Sequence, residues 1–339
     1  MDKKISELDE LFVANNNDLL PIVDVLNLHT KKITCQNFRD TFLLSNIPYP
    51  VTSVNGLTGS VTIASESISS NSTIVCKVGD DLAIKYAAAK ALTPGGNALS
   101  ATNRATLIIM PGNYSVSSTL AIDTNYVDVI GLGSVKLERG AIPAVNLSGG
   151  INVTATNVRV KGISVGTDSF TISGEANQVF EDCTGGDYSF GGGGYASGSF
   201  VNCSGGFYSF GGYGTASGTF TNCSGGFYSF GGYGTASGTF TNCSGGFYSF
   251  GGDGGTASGT FTNCSGGTYS FGCYGTASGT FTDCSGGDGS FGSYGGIASG
   301  KFLKCTLTSG SFPTLSSDGK YRLCTDGNYN VINADYVAP

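Results

Sequence analysis

Tryptophan is absent from the 339 residues, histidine occurs once, at His29, and charged side chains make up only 12%. The shortage of charge is sharpest late in the chain. Between Cys183 and Phe312 there are six charged residues: Asp187, Asp253, Asp283, Asp288, Lys301 and Lys304. No arginine lies between Arg159 and Arg322, and the net charge is −7. Such a chain has no electrostatic footprint for nucleic acid and no basic patch for an anionic membrane. No apolar run reaches about 18 residues, so no membrane insertion by a helix is expected. The N-terminus, Met1-Asp2-Lys3-Lys4-Ile5, is polar and lacks the apolar stretch of a secretory signal. Synthesis in a cytosol without Sec export is therefore expected.

What the chain has is glycine (55 residues), phenylalanine (21), tyrosine (17) and cysteine (11). They recur on a fixed period. Ser-Phe pairs fall at 169–170, 189–190, 209–210, 229–230, 249–250, 270–271, 290–291 and 311–312. A second marker, Phe-x-x-Cys, joins Phe180/Cys183, Phe200/Cys203, Phe220/Cys223, Phe240/Cys243, Phe261/Cys264, Phe281/Cys284 and Phe302/Cys305. Most intervals are 20 residues and a few are 21. A unit this short cannot bury its own apolar face, but stacked copies bury each other's. Within the unit the apolar period is two: Ala216, Gly218 and Phe220 share one face, Ser217 and Thr219 the other. That is strand alternation. The same reading puts Tyr208 and Phe210 on one face of FYSF, with Phe207 and Ser209 pointing away. The odd Phe-x-x-Cys spacing requires a bend between Phe and Cys if both point inward.

The fold expected is mainly β: a right-handed parallel β-helix with coils of about 20 residues, preceded by a small α+β N-terminal module. At a coil step of about 4.8 Å, the seven steps from Phe170 to Phe312 give a rod of roughly 34 Å. The Phe and Cys markers, with the Ala216 and Phe210 types, form the interior ladders. Five regions follow. Residues 1–48 are the N-terminal module, with an extended run at Leu19–Val25 and helical spacing at Phe38, Phe42 and Leu43. Residues 49–63 are a connector. Residues 64–165 hold entry coils and a helix candidate at Asp81–Leu92. Residues 166–312 are the repeat, and 313–339 close its end.

Three stretches carry a resemblance. KISELDEL…NNNDLLPIVDV…TKKITCQNFRDTFL resembles the leader that opens many tailed-phage tail-fibre and virion proteins, and SVNGLTGSVTI (53–63) resembles a connector found in such fibres. The order of strand, PGNY, strands and GLG resembles the entry coils of pectate-lyase-like β-helix proteins, in which an N-terminal helix caps the first coil. GTFTNC is similar to repeats of outer-membrane β-helix adhesins. The first resemblance implies a fibre or spike of the virion, assembled as a homotrimer and attached to tail or baseplate proteins through residues 1–48. Its β-helix would meet the host surface or decorate the particle. An alternative is a tailspike depolymerase that cleaves host polysaccharide; others are an adhesin or an ice-binding solenoid, since Thr219/Thr221, Thr239/Thr241, Thr260/Thr262 and Thr280/Thr282 resemble outward Thr ladders.

Candidate sites divide accordingly. A glycosidase needs paired carboxylates. The acids available are Glu175, Glu181, Asp182, Asp187, Asp283 and Asp288, set among nearly identical coils, and no catalytic set is assigned. Metal ligands must converge on a point, whereas one cysteine per coil makes a line. The column is therefore read as packing, with no metal and no cofactor. Cys273 stands where other coils have glycine and is expected off the column and exposed. The binding candidate is an outward aromatic stripe: Phe207, Phe227 and Phe247, with Tyr213, Tyr233, Tyr274 and Tyr294. It suits a subunit interface or stacking against a host-surface glycan. GLG at 131–133 is no dinucleotide motif, because no helix follows it.

Overall fold

The computed structural model describes residues 19–24, 29–34, 72–116, 119–137, 140–165, 170–172, 175, 177–316 and 319–335. The chain divides into two compact units, 1–70 and 71–339. In the first, the expected extended run is the strand Leu19–Asp24, paired antiparallel with His29–Thr34. The helical spacing at Phe38–Leu43 lies outside the described residues.

The second unit is a right-handed parallel β-solenoid. It opens with the strand Thr73–Cys76 and a helix, α1, over Leu82–Lys90. The Asp81 carboxylate caps α1 by accepting from the Ala83 and Ile84 amides at 2.9 and 3.0 Å. The helix buries Leu82, Tyr86 and Ala89 against the first coil, and the Tyr86 hydroxyl accepts from the Asp123 amide at 3.1 Å.

One long parallel ladder then runs the length of the unit, each coil adding a strand: Ala105–Ile109, Val127–Gly131, Arg159–Lys161, Val179–Glu181, Ser199–Val201, Thr219–Thr221, Thr239–Thr241, Thr260–Thr262, Thr280–Thr282, Lys301–Leu303 and Lys320–Thr325. Phe180, Phe200, Phe220, Phe240, Phe261, Phe281 and Phe302 pair in strict register along it. A second ladder joins Thr215–Ala216 to its counterparts from Tyr195–Ala196 to Ile297–Ala298. Between these two strands the backbones approach so closely that a Cβ on Gly218 would sit 2.1 Å from the Gly198 carbonyl oxygen. Only glycine fits there.

In the repeat coils the interior is built from aromatic stacks. Phe220 lies on Phe240 at 4.8 Å and 3° from parallel, and Phe210 on Phe230 at 4.7 Å and 2°. The two stacks meet edge to face, Phe220 against Phe230 at 5.6 Å and 87°. Both columns are fully buried, as are the Cys183 to Cys305 column and the alanines of the Ala216 type. Strand Val331–Asp335 folds back antiparallel on Lys320–Thr325 and covers the last coil's edge.

FYSF departs from the expectation. It is a turn rather than a strand: Tyr208 and Phe210 both have left-handed backbones, φ +53° and +51°, followed by Gly211 at +71°. Reversing handedness at alternate residues destroys the period of two. Ser209, expected outside, is fully buried and donates to the Gly206 carbonyl at 2.9 Å. Tyr208, expected to share the interior with Phe210, is only half-buried at the surface. A left-handed non-glycine residue costs about 1–2 kcal/mol. Here the turn is tied to both neighbouring coils, Tyr208 N to Phe227 O at 2.9 Å and Phe210 N to Ser189 O at 3.0 Å.

Candidate binding surface

The turn exposes aromatics in rows. Tyr188, Tyr208, Tyr228, Tyr248 and Tyr269 form one column, with ring centroids 5.1, 5.1, 4.9 and 5.0 Å apart. Tyr213 and Tyr233 lie flat against Tyr208 and Tyr228, each at 4.5 Å, and against each other at 5.3 Å. Tyr274 and Tyr294 continue their row at 5.7 Å. Phe207, Phe227 and Phe247 make a separate column at 5.1 and 4.9 Å. The seven residues of the expected stripe are all exposed, from 40% at Tyr233 to 52% at Tyr294. The Tyr188-to-Tyr269 column was not foreseen as surface, because alternation placed it inward.

Stacking along the rod axis uses up the ring faces. In the regular coils the tyrosine planes lie within 15° of each other, so they present edges and hydroxyls outward. A sugar stacks on a face, so an unbroken stretch of these columns offers it little.

Four of the six candidate acids have individual partners. Glu181 accepts from Arg159 at 2.6 and 2.7 Å and from Lys161 at 3.1 Å. Burial raises its pKa, but those cations outweigh it and hold the carboxyl below its ordinary range. Asp182 is buried, 3.5 Å from Lys161 and accepting from Asn202 at 2.9 Å. Asp187 accepts from the Phe207 amide at 2.7 Å. Asp288 accepts from the Tyr294 hydroxyl at 2.8 Å, which pushes that phenol up to about 12. Glu175 and Asp283 are exposed. Among the described residues no three His, Cys, Asp or Glu side chains converge to hold a metal.

Two polar ladders, one partly buried and one interior, are not apparent from the periodicity. Asn222 gives its amide to Asn202, Asn242 to Asn222, and Asn263 to Asn242, at 2.8–3.1 Å, all with φ of +51° to +55°. This is the bend that the Phe-x-x-Cys spacing demands. The signal was present, since asparagine tolerates left-handed backbone better than most residues. The second ladder is the buried serine column from Ser189 to Ser290. Two further members are not apparent either: Tyr321 extends the phenylalanine ladder beside Phe302, and Cys324 extends the cysteine column.

The described cysteines are all free thiols. Each cysteine of the column donates to backbone; Cys223 Sγ reaches Phe200 O at 3.4 Å. Burial pushes Cys183, Cys203 and Cys223 well above the ordinary thiol range. Cys273 corrects an expectation: it is off the column but fully buried, with burial pushing it up to about 12. A Cβ at the equivalent Gly212 would strike the Tyr208 Cα at 2.5 Å. The coil at Cys273 takes another path, Tyr274 adopting φ +54°.

Scans of protein-family models, of curated proteins and of solved structures found nothing that matches this chain. The β-solenoid fold is consistent with a rod-like structural or binding protein.

Proposed function

We propose that the chain is a structural protein of a phage virion, of the tail-fibre or spike type. Its solenoid is a stiff segment for contact with the host surface or decoration of the particle. The observation that carries this reading is the repetition of the outer surface: near-identical coils present the same aromatic, Thr and Ser side chains at each step, which suits binding along a line. Catalysis needs coils that differ, and four of the six candidate acids, Glu181, Asp182, Asp187 and Asp288, are held by individual partners. The leader-like residues 1–48 would join tail or baseplate proteins. The column Phe207–Phe227–Phe247 is apolar, exposed and free of the tyrosine stacks, and it suits a contact between copies in a homotrimer.

The test is protein identification in purified particles, paired with light scattering of the isolated chain. The chain in stoichiometric amounts within particles, and a solution mass near three copies, are expected. Absence from particles overturns the virion reading, and a monomer at micromolar concentration overturns the trimer.

A further inference from the structure

The tyrosine array has one break. In two successive coils a second ring, Tyr213 or Tyr233, lies against the Tyr208-type ring of its own coil, 7° and 4° from parallel. In the next coil that place belongs to Asp253. The register is fixed by backbone: Asp253 N donates to Gly232 O at 2.9 Å, as Tyr233 N donates to Gly212 O at 2.9 Å. Tyr248 therefore keeps its column neighbours Tyr228 and Tyr269 but has a carboxylate beside it in place of the second ring. One coil later Tyr274 turns toward Tyr294 and, tilted by 43°, toward Tyr269 at 5.9 Å. Its ring contacts do not include Tyr248. Tyr233 and Tyr274 thus belong to coils two steps apart, and the coil between them places Asp253 at the position of the second ring.

The chain marks this coil. Gly254 is the extra residue of a 21-residue unit, and a Cβ there would meet nothing within 4 Å. The Asp253 carboxylate has no hydrogen-bond or ion-pair partner among the described residues, unlike Asp187 and Asp288. No lysine or arginine occurs between Lys161 and Lys301 to neutralise it. The Tyr248 phenol is held above its ordinary pKa by burial and then by Asp253.

We propose that this break is a binding notch for a pyranose ring bearing a protonated amine. The sugar's C–H face takes the place of the missing phenol on the side of Tyr233 that faces away from Tyr213, beside Tyr248, whose own faces are covered by Tyr228 and Tyr269, and its ammonium pairs with Asp253. Charge complementarity selects the amine: a neutral ring gains the stacking alone, and an anionic ring is repelled. This rests on the host-surface reading above and names the residue class it would recognise. One partly exposed ion pair and one stacked face correspond to weak single-site affinity, with Kd about 1 mM.

Tyrosine emission reports binding directly, because the chain has no tryptophan. The full-length protein is titrated with a tetramer of glucosamine and, separately, with its fully N-acetylated counterpart. Saturable change with the amine form, and at least tenfold weaker binding of the acetylated form, are expected. Asp253→Asn should weaken the amine form at least fivefold. Asp253→Tyr should abolish binding while its melting temperature stays level or rises, since it restores the ring found in the preceding coils. Equal binding of the two tetramers, or undiminished binding by Asp253→Tyr, overturns the proposal. The notch is tested on purified protein alone, so its failure is distinguishable from absence of the chain from particles.

Discussion

The entry coils and the repeat coils solve the same fold with different materials. From Ala105 to Val165 the interior is aliphatic apart from Tyr114: Leu107, Val129 and Val160 lie on the long ladder, Leu147 and Ile163 on the next, Ile122 and Ile151 on the third. Three true strands make each of these coils, and Tyr126 is their one left-handed residue other than glycine among those described. From Val179 onward the third strand gives way to a turn, and each regular coil places three side-chain-bearing residues at positive φ, such as Asn222, Tyr228 and Phe230. β-branched side chains favour pleated backbone without help from neighbours. The repeat coils instead offset unfavourable backbone with ladders that exist only when the next coil is identical. A coil of the first kind tolerates variation; one of the second kind demands copies.

The sharpest way to separate the regions is alkali. The repeat holds a column of buried thiols, and the entry coils hold Cys76. Burial raises the folded pKa of Cys183, Cys203 and Cys223 well above the thiol range, and Cys284 reaches about 12, chiefly through its hydrogen bond with Cys264. An unfolded thiol titrates near 8.5. The stabilising effect is thus intact below that pH and is lost as pH rises toward the folded values, by about 1.4 kcal/mol per thiol per pH unit. Denaturant unfolding under reducing conditions at pH 7 and about pH 10 should show the repeat losing stability steeply. Cys223→Ala should lower that slope by one thiol's share. A slope independent of this substitution would mean that the column is not buried.

A core truncation comes next. Phe230 stacks on Phe210 and Phe250 at 4.7 and 4.8 Å and meets Phe220 and Phe240 edge-on. Phe230→Ala should cost about 3–5 kcal/mol, enlarged by lost ring pairs of about 0.5–1.5 kcal/mol each. Ile163→Val in the entry coils should cost about 0.5–1.5 kcal/mol. Hydrogen exchange should show the first change spreading into adjacent coils and the second staying local. Asn222→Ala removes an amide that bonds in both directions along its ladder and puts alanine at φ +54°; about 2 kcal/mol is expected from those two losses. Asn222→Gly, which relieves the backbone but not the ladder, should recover part of it.

The comparison also explains what could be read from the chain. The long ladder, its register and the interior Phe, Cys and Ala columns follow from period and alternation, because strands translate sequence into facing directly. The expected stripe was placed outside for a mixture of reasons: Phe207 by an alternation that does not hold there, Tyr213 by its position beside a glycine corner. Tyr208, Ser209 and Cys273 were misjudged for one shared cause. Side-chain direction in a left-handed turn depends on φ values that Phe and Tyr rarely adopt, and no local rule assigns them. The asparagine ladder was the clue to such backbone. Cys273 shows how one departure in a copied coil redirects the whole corner.

Acid should reverse the order of the two regions, with a smaller effect. Ion pairs gather at the start of the solenoid: Arg104 with Asp128, Lys90 with Asp123, Arg159 and Lys161 with Glu181. Asp123 and Glu181 both have carboxyls held below their ordinary range by these cations. Their contribution is therefore present above the unfolded carboxylate pKa, near 4, and is lost as pH falls through the lower folded values. Partly exposed pairs of this kind contribute about 1 kcal/mol or less each. Hydrogen exchange at pH 3 against pH 6, corrected for intrinsic rates, should show protection falling in 105–181 while 199–282, which carries one acid and no base, holds. Glu181→Gln should remove part of that difference. Equal loss in both regions would mean that the charged start and the uncharged body unfold as one cooperative unit, and that the contrast in materials carries no contrast in local stability.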